Sequence, residues 1–176
     1  MLDGEQSIVK RAIKGEASAF GLLYDHYQPR IYRFVVIKVG RLEEAEDLTH
    51  QVFLSAWQNI RRYEDLGHPF GSWLYHIARN QVIDHYRTKR VQVVLQEAEP
   101  FLPSADDSEA GAEMKLELER VRRAVHKLKP VYQDVIAMRF VEELSIKETA
   151  AALRRSEGAI KLLQHRAMNE LRKHLK

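Results

Sequence analysis

Apolar side chains recur at three- and four-residue steps along most of this chain, which is the spacing of one face of an α-helix. The clearest stripe lies within residues 16–39 and comprises Phe20, Leu23, Tyr24, Tyr27, Ile31, Phe34, Val35 and Lys38. Pro29 is expected to kink or divide this helix, because proline lacks the amide hydrogen. The predicted helices span 5–14, 16–39, 43–62, 71–90 (capped by Ser72), 112–129, 130–143 and two shorter segments within 144–171.

Residues 144–171 have the pattern of a helix-turn-helix. Ser145 and Glu148 have the spacing of a capping box, and Ser156 can cap the following helix. We expect the two helices to meet through a small core, formed by Ala151, Leu153, Ile160, Ala167 and Leu171. From Arg154 onward there are seven Lys/Arg against two acids. This excess favours a helix that enters the DNA major groove over an ordinary helical hairpin.

The helix predicted at 71–90 and the loop before it have a different surface. Basic, amide and tyrosine side chains share the outer side of the helix, and these groups can neutralise phosphates and stack on bases. They are His76, Arg79, Asn80, His85, Arg87, Lys89, Arg90, Tyr75 and Tyr86. Single-stranded DNA binding is one interpretation, and an ordinary solvated face is the other.

Residues 91–119 differ from the rest of the chain in charge, because they contain eight acids and only one lysine. Pro100 and Pro103 interrupt helix signals there, so 91–111 is predicted to be a flexible acidic linker. It could occupy a cationic channel in a partner or serve as a solubilising tether. The prediction is an all-α fold with two small helical domains, 1–90 and 112–176, the second a four-helix domain that contains the helix-turn-helix.

Composition narrows the possible chemistry. The 28 Lys+Arg exceed the 25 Asp+Glu only slightly, so net charge alone does not imply nucleic acid. The absence of cysteine excludes disulfides, zinc fingers and thiol catalysis. No Gly-rich phosphate loop, HExxH or GxSxG occurs, and the eight histidines are scattered. We therefore expect no catalytic site, metal or cofactor. Without a membrane-length apolar run or a secretory signal, a soluble cytoplasmic protein is expected.

Three runs, in order, carry a family resemblance: AEDLTHQVFLSAW, PFGSWLYHIARNQVIDHYRTKR and LSIKETAAALRRSEGAIKLLQHRAMNELRK. Together they resemble the extracytoplasmic-function sigma factors of bacteria, over nearly all of the chain outside 91–111. The resemblance implies a non-catalytic subunit that binds core RNA polymerase, directs it to promoter DNA and helps to open it. It also implies an anti-sigma factor that wedges between the two domains, no membrane insertion, and association with the nucleoid through polymerase.

The resemblance also assigns roles to residues. Those that would dock on the clamp helices of the largest polymerase subunit are Asp47, Leu48, Gln51, Val52 and Phe53. The −10 element would be read by Leu66, His68, Pro69 and Phe70, around a flipped base, and by Arg79, Asn80, Asp84 and Arg87 on the strand-binding helix. The −35 element would be read by Arg155, Ser156, Glu157, Gly158, Lys161, Gln164, His165 and Arg166.

This chain departs from the family pattern in and after the turn. Arg154 stands where many members have glycine, so the turn must reach its backbone conformation without a glycine. Leu163 and Gln164 stand where many members have arginine and leucine. A helix-turn-helix regulator whose N-terminal half senses a ligand or partner is the alternative function. An RNA-processing enzyme is disfavoured by the missing catalytic residues.

Overall fold

The computed structural model describes residues 2–92 and 120–175, and for residues 90–92 it describes the backbone alone. All regular structure in these two ranges is helical, which confirms the predicted all-α class. The helices are α1 (Glu5–Ile13), α2 (Ala17–Val39), α3 (Leu42–Asn59), α4 (Phe70–Gln92), α5 (120–126), α6 (Pro130–Ile136), α7 (Ile146–Leu153) and α8 (Glu157–Leu175). The predicted linker beyond residue 92 and the first part of the 112–129 helix lie outside the described residues.

α2 runs through Pro29 as a single helix, so the proline does not divide it. Tyr27 and Ile31, on either side of the proline, are both buried in the core. Their packing holds the helix together where proline removes one backbone hydrogen bond. The predicted helix 43–62 ends earlier, at Asn59, and its last turn, Ile60–Arg62, is a 3₁₀ turn.

α4 begins at Phe70, and the predicted capping role of Ser72 is wrong. Ser72 lies inside the first turn, and its buried Oγ finds no hydrogen-bond partner among the described residues. The carboxylate of Glu5, at the start of α1, accepts a hydrogen bond from the Phe70 amide at 2.9 Å. It also accepts one from the Tyr27 hydroxyl at 2.5 Å. A distant acid thus satisfies the amide at the start of α4, which local spacing could not show.

The C-terminal helices follow the predicted caps closely. α6 starts at Pro130 and continues as a π-helical turn, Ala137–Val141. The capping box of α7 is complete, because the Ser145 amide donates to Glu148 Oε2 at 2.7 Å and the Glu148 amide to Ser145 Oγ at 3.1 Å. Ser156 Oγ accepts from the Ala159 amide at 3.2 Å and caps α8. These bonds fix the helix-turn-helix locally.

Two apolar clusters hold the described residues together. The larger joins the N-terminal helices to the helix-turn-helix through Leu144, Leu153 and Ile160. The smaller lies between α5, α6 and α8 and contains Ala167 and Leu171. The small core predicted for the helix-turn-helix is therefore divided between these clusters. Ala151 belongs to neither and is half-exposed, since the buried alanines of α7 are Ala150 and Ala152.

Candidate polymerase and nucleic-acid interfaces

The five candidate docking residues on α3 divide into two groups. Leu48, Val52 and Phe53 are buried in the N-terminal core, where they hold α3 in place. Asp47 and Gln51 are exposed on the outer face of the helix. Leu54, which the sequence analysis missed, is 57% exposed on that same face. The signal was available, because Leu54 is a large apolar residue that falls off the buried stripe of α3.

The candidate −10 loop leads into a packed aromatic cluster. Leu66 at its tip is 74% exposed, whereas Phe70 is 1% exposed. The Phe70 ring lies 5.3 Å from both the Tyr63 and Trp73 rings, measured between centroids. Phe70 thus anchors the loop from inside the core and has no surface to offer a base. Its predicted contact with a flipped base is not available in this structure. His68 and Pro69 are half-buried beside it.

The aromatic cluster also sets the pKa of a nearby phenol. Burial raises the pKa of Tyr63 to about 12, with the negative charges of Asp65 and Glu5 acting in the same direction. Its hydroxyl therefore keeps its proton at neutral pH. The exposed surface of the loop is mixed, because the acidic Glu64 and Asp65 lie beside the apolar Leu66.

The candidate strand-binding residues of α4 have unequal surroundings. Asp84 and Arg87 are exposed and pair with each other at 3.2 Å. Asn80 is exposed, and its amide lies 3.2 Å from His76 Nε2. Arg79 is less accessible, because its Nε donates to Asp134 of α6 at 2.9 Å. Of the four residues of α4 predicted to hold the −10 strand, Arg79 is therefore already paired with an aspartate of the C-terminal helices.

The candidate −35 residues lie mostly on the outer side of α8 and the turn before it. Seven are exposed: Arg155, Ser156, Glu157, Gly158, Lys161, His165 and Arg166. The eighth, Gln164, is half-buried, and its Oε1 accepts from Arg139 Nε at 2.9 Å. Gln164 is thus tied to the preceding π-helical turn. Leu162 was missed as a candidate, although it is 49% exposed beside Lys161.

The turn of the helix-turn-helix contains an arginine, Arg154, in a strained backbone conformation. Arg154 adopts φ 50° and ψ 52°, the left-handed conformation that usually favours glycine. Its amide and that of Arg155 donate to the carbonyls of Ala151 and Ala150, at 3.2 and 2.9 Å. These bonds close the end of α7 and aim α8 outward, with Arg154 and Arg155 exposed at the turn.

The two halves of the chain meet through buried charges that the sequence analysis did not find. Asp134 of α6 and Glu142, which follows the π-helical turn, contact basic groups of α2 and α4. Burial lowers the pKa of Lys38, although the neighbouring Asp134 opposes that shift. Burial and the charge of Glu142 raise the pKa of Tyr75. The signal was Lys38 itself, a lysine on the apolar stripe of α2, which requires a buried anion.

The described residues contain no cluster of His, Cys, Asp or Glu that could hold a metal ion. Within the same ranges, no helix is long and apolar enough to cross a membrane.

Comparison with known proteins identifies both halves. Residues 23–91 match the family model of sigma-70 region 2, and residues 124–173 match that of sigma-70 region 4. The first match extends through α3 and α4, so the N-terminal half is not an unrelated sensing domain. A helix-turn-helix regulator with a separate N-terminal function is therefore not favoured.

Three curated relatives cover nearly all of this chain. The ECF RNA polymerase sigma factor SigW of Bacillus subtilis is 30% identical, over 96% of this chain and 95% of its own length. SigD of Mycobacterium tuberculosis is 33% identical, over 97% of this chain and 84% of its own. BldN of Streptomyces coelicolor is 40% identical over 93% of this chain, but the chain spans only 63% of its length.

Solved structures agree on the fold. CnrH, in complex with the cytosolic domain of CnrY, matches with a TM-score of 0.75 at 23% identity, over 97% of this chain and 96% of that one. The sigma factor RpoE of Bartonella quintana, in complex with the anti-sigma factor NepR, matches with a TM-score of 0.71 at 22% identity, over 89% and 96%. With two family models in order and full-length relatives, the chain belongs to the ECF RNA polymerase sigma factors, the initiation subunits that direct RNA polymerase to promoters.

Proposed function

We propose that this sigma factor divides promoter recognition between two domains, 1–90 and 112–176, joined by the acidic segment 91–111. The N-terminal domain docks on core RNA polymerase through α3 and captures the unpaired −10 strand with α4 and the loop before it. The C-terminal domain binds the −35 duplex through α8. The chain supplies specificity and no catalysis of its own, and it works in the cytoplasm, on the nucleoid.

The helix-turn-helix is the observation that carries this proposal. Its two helices are capped at both starts, and seven of the eight candidate −35 residues are exposed. Such a helix can place its N-terminal side chains on base edges while flanking cations contact phosphates. Gln164 is the exception, and we assign it a positioning role through Arg139.

Docking on polymerase is assigned to the exposed side chains of α3. Asp47, Gln51 and Leu54 lie within two turns of one another on the outer face, and the buried Leu48, Val52 and Phe53 fix that face relative to α4. An exposed leucine flanked by an acid and an amide suits a partner that offers both apolar and polar groups. Leu48, Val52 and Phe53 therefore contribute to docking indirectly, by holding α3 in position.

The −10 strand is assigned to α4 and its loop. Leu66, His68 and Pro69 form the surface for a flipped base, with Phe70 holding the loop from below. Asn80, Asp84 and Arg87 are on the accessible side of α4. Arg79 contributes a cation once Asp134 has moved away from it.

A protein partner of the anti-sigma class is also proposed. Two proteins with this fold were solved with such a chain or a cytosolic domain bound. The exposed apolar side chains Phe140 and Val141, beside α8, offer a surface that another protein could cover.

Transcription by reconstituted holoenzyme tests the division of labour. Core RNA polymerase and this chain are given a promoter library, and the run-off transcripts are sequenced. We expect transcripts from a shared −35/−10 pair, and none with core alone. Asp47→Ala and Leu54→Ala should abolish transcription without changing affinity for the selected −35 duplex, whereas the adjacent Glu46→Ala should leave both intact. Binding of duplex DNA with no promoter-specific transcript would contradict the proposal.

Duplex binding tests α8 separately. Lys161→Ala should weaken affinity for the selected −35 duplex and reduce the dependence of log K on log salt by about one, because one phosphate contact is lost. Lys173→Ala, an exposed lysine at the far end of α8, is the matched control. Equal effects of the two substitutions would rule out the assigned reading face.

A further inference from the structure

Two adjacent leucines in the second turn of α8 have opposite surroundings. Leu163 is half-buried and packs against the larger apolar cluster, whereas Leu162 is 49% exposed. The buried residues of α8 are Ile160, Ala167 and Leu171, and they define the side of the helix that faces the protein. At about 100° per residue, Leu162 lies about 160° from Ile160 around the helix axis. Its side chain therefore leaves the helix almost directly away from the core.

The helix surface beside Leu162 is open. A helical side chain leans toward the N-terminus and covers the turn before its own Cα, which directs the leucine methyl groups toward Gly158. Gly158 has no side chain, and a Cβ built at this position would meet no atom within 4 Å. The methyl groups of Leu162 are thus accessible from the outer side of α8.

Polar and basic groups surround this apolar side chain. Lys161 and Arg166 are exposed on either side of Leu162, and His165 is exposed one turn further along the helix. Long cations at these positions can reach the phosphates that border a major groove, while the side chain between them faces base edges. Leu162 accordingly lies at the centre of the face that is assigned to the −35 duplex.

A different surface offers the apolar groups that a protein partner would cover. A groove of about 400 Å³ between α5, α6 and α8 is lined by Phe140, Val141 and Met168, among others, and Leu162 does not line it. Within α8, which is described as far as residue 175, Leu162 is the only large apolar residue that is exposed. One leucine among charged neighbours is too small an apolar area for a protein interface.

The chemistry of the major groove restricts what a leucine can read there. Base edges offer hydrogen-bond donors and acceptors, together with one apolar group, the C5-methyl of thymine. The leucine side chain has no donor or acceptor and cannot pair with a polar base edge. Contact with a thymine methyl removes two apolar groups from water, whereas contact with a polar edge would displace its bound water without replacement. A leucine that faces base edges therefore favours thymine.

We propose that Leu162 is a specificity-determining residue of the −35 contact and reads the C5-methyl group of a thymine. The −35 element recognised by this chain then contains an A·T pair opposite the second turn of α8. The proposal rests on the proposed function for the docking of α8 in the major groove. It adds an apolar contact to a set of candidate side chains that are otherwise polar or charged.

Selection of duplexes from a randomised library, with the full chain and without polymerase, provides the probe. The parent chain should enrich a motif in which one position is a thymine. Leu162→Ala should enrich the same motif with the preference at that single position lost. Parent motifs that contain no A·T pair would overturn the proposal.

Replacement of thymine by uracil then tests the methyl contact directly, because it removes the methyl group and leaves every hydrogen-bonding atom in place. Each thymine of the selected duplex is replaced in turn. One replacement should weaken binding by the parent about fourfold, the value expected for one buried apolar carbon. The same replacement should weaken binding by Leu162→Ala less than about 1.5-fold, since the partner of the methyl is gone.

Two results of this scan would exclude the contact. Equal losses in the parent and in Leu162→Ala would mean that another residue reads the methyl group. No loss at any thymine would mean that no methyl group is read.

Two further variants control for the substitution itself. Leu22→Ala removes a leucine of similar exposure, 47%, from α2, and it should retain the full loss on uracil replacement. Leu162→Met keeps an apolar side chain of similar size and should retain most of the discrimination. A Leu162→Met chain as indifferent to uracil as Leu162→Ala would contradict an apolar contact.

The proposed function is tested separately by Lys161→Ala. If this change weakens duplex binding and lowers its salt dependence while uracil has no effect, α8 reads the duplex without Leu162 and only the thymine contact fails. If no motif is enriched and Lys161→Ala has no effect, the −35 assignment itself fails, and the thymine contact fails with it.

Discussion

Arg154 shows how one backbone conformation can depart from the family pattern without breaking the motif. Its left-handed φ of 50° strains an L-residue, yet two hydrogen bonds across the end of α7 retain the turn. The departure that the sequence analysis identified is therefore accommodated locally, at a cost in stability. Glu143 has a similar φ of 55° just before the capping box.

Arg154→Gly should stabilise the protein by about 1 kcal/mol, because glycine relieves the left-handed strain and loses only part of that gain to its larger unfolded-state entropy. Urea unfolding followed by helicity measures the change. Arg154→Ala removes the same side chain but keeps the strain, and it should bring no such gain. Equal stabilities of the two variants would show that the backbone is not strained at this position.

At the scale of elements, helix positions depend on a few buried polar groups as much as on apolar stripes. Glu5 connects α1 to the Tyr27 hydroxyl of α2 and to the Phe70 amide at the start of α4. Gly71, directly after, packs so closely on α2 that an added Cβ would lie 2.6 Å from the Tyr27 ring. This junction sets where α4 begins and thereby where the proposed −10 surface lies.

Glu5→Ala should destabilise the N-terminal domain by about 2 kcal/mol, since it leaves the buried Tyr27 hydroxyl and Phe70 amide without their acceptor. Chemical denaturation gives the difference in unfolding free energy. Glu64→Ala, in the exposed loop, is the matched control and should change stability by less than about 0.5 kcal/mol. A Glu5 variant as stable as the control would mean that water replaces the lost carboxylate.

At the scale of the whole molecule, the contact between the domains includes a titratable group. His76 is neutral where α7 contacts α4, with Nδ1 donating to Ala152 and Nε2 facing the Asn80 amide. Burial, together with the positive charges of Arg154 and Arg79, lowers its pKa below the ordinary value of 6.5. Protonation therefore opposes this contact between α7 and α4. The contribution of His76 is complete above pH 6.5 and declines below it, down to the lowered pKa.

Acidification from about pH 7.5 to about pH 5.5 should accordingly weaken the contact between α7 and α4. The chain has no cysteine, so labels at Gln58→Cys on α3 and Lys173→Cys on α8 report this contact, and energy transfer between them should fall over this range. His76→Asn keeps a donor near the position of Nδ1 but cannot titrate, so it should lose less. Asp134 and Glu142 are present in both proteins, and the difference between the two curves therefore isolates the histidine. Coincident curves would contradict a role for His76.

Periodicity and capping spacing were sufficient to predict the elements. The apolar stripes, the Ser145–Glu148 box and Pro130 located most helices, because these signals act within a few residues of the chain. The three family motifs, in order, indicated the sigma factor family before any contact was known. Lys38 on an apolar stripe was a sign of a buried anion that went unrecognised, because its partner lies almost a hundred residues away.

Tertiary structure alone decided which candidate residues are available. On α3 it separated the exposed Asp47 and Gln51 from three residues of the core, and it revealed Leu54. It buried Phe70, tied Gln164 to Arg139, and paired Arg79 with Asp134. Contacts between groups far apart in the chain depend on how whole helices pack, and no local pattern encodes them. The sequence by itself therefore determined the elements and the family, whereas packing determined which of the candidate residues are exposed and which are paired or buried.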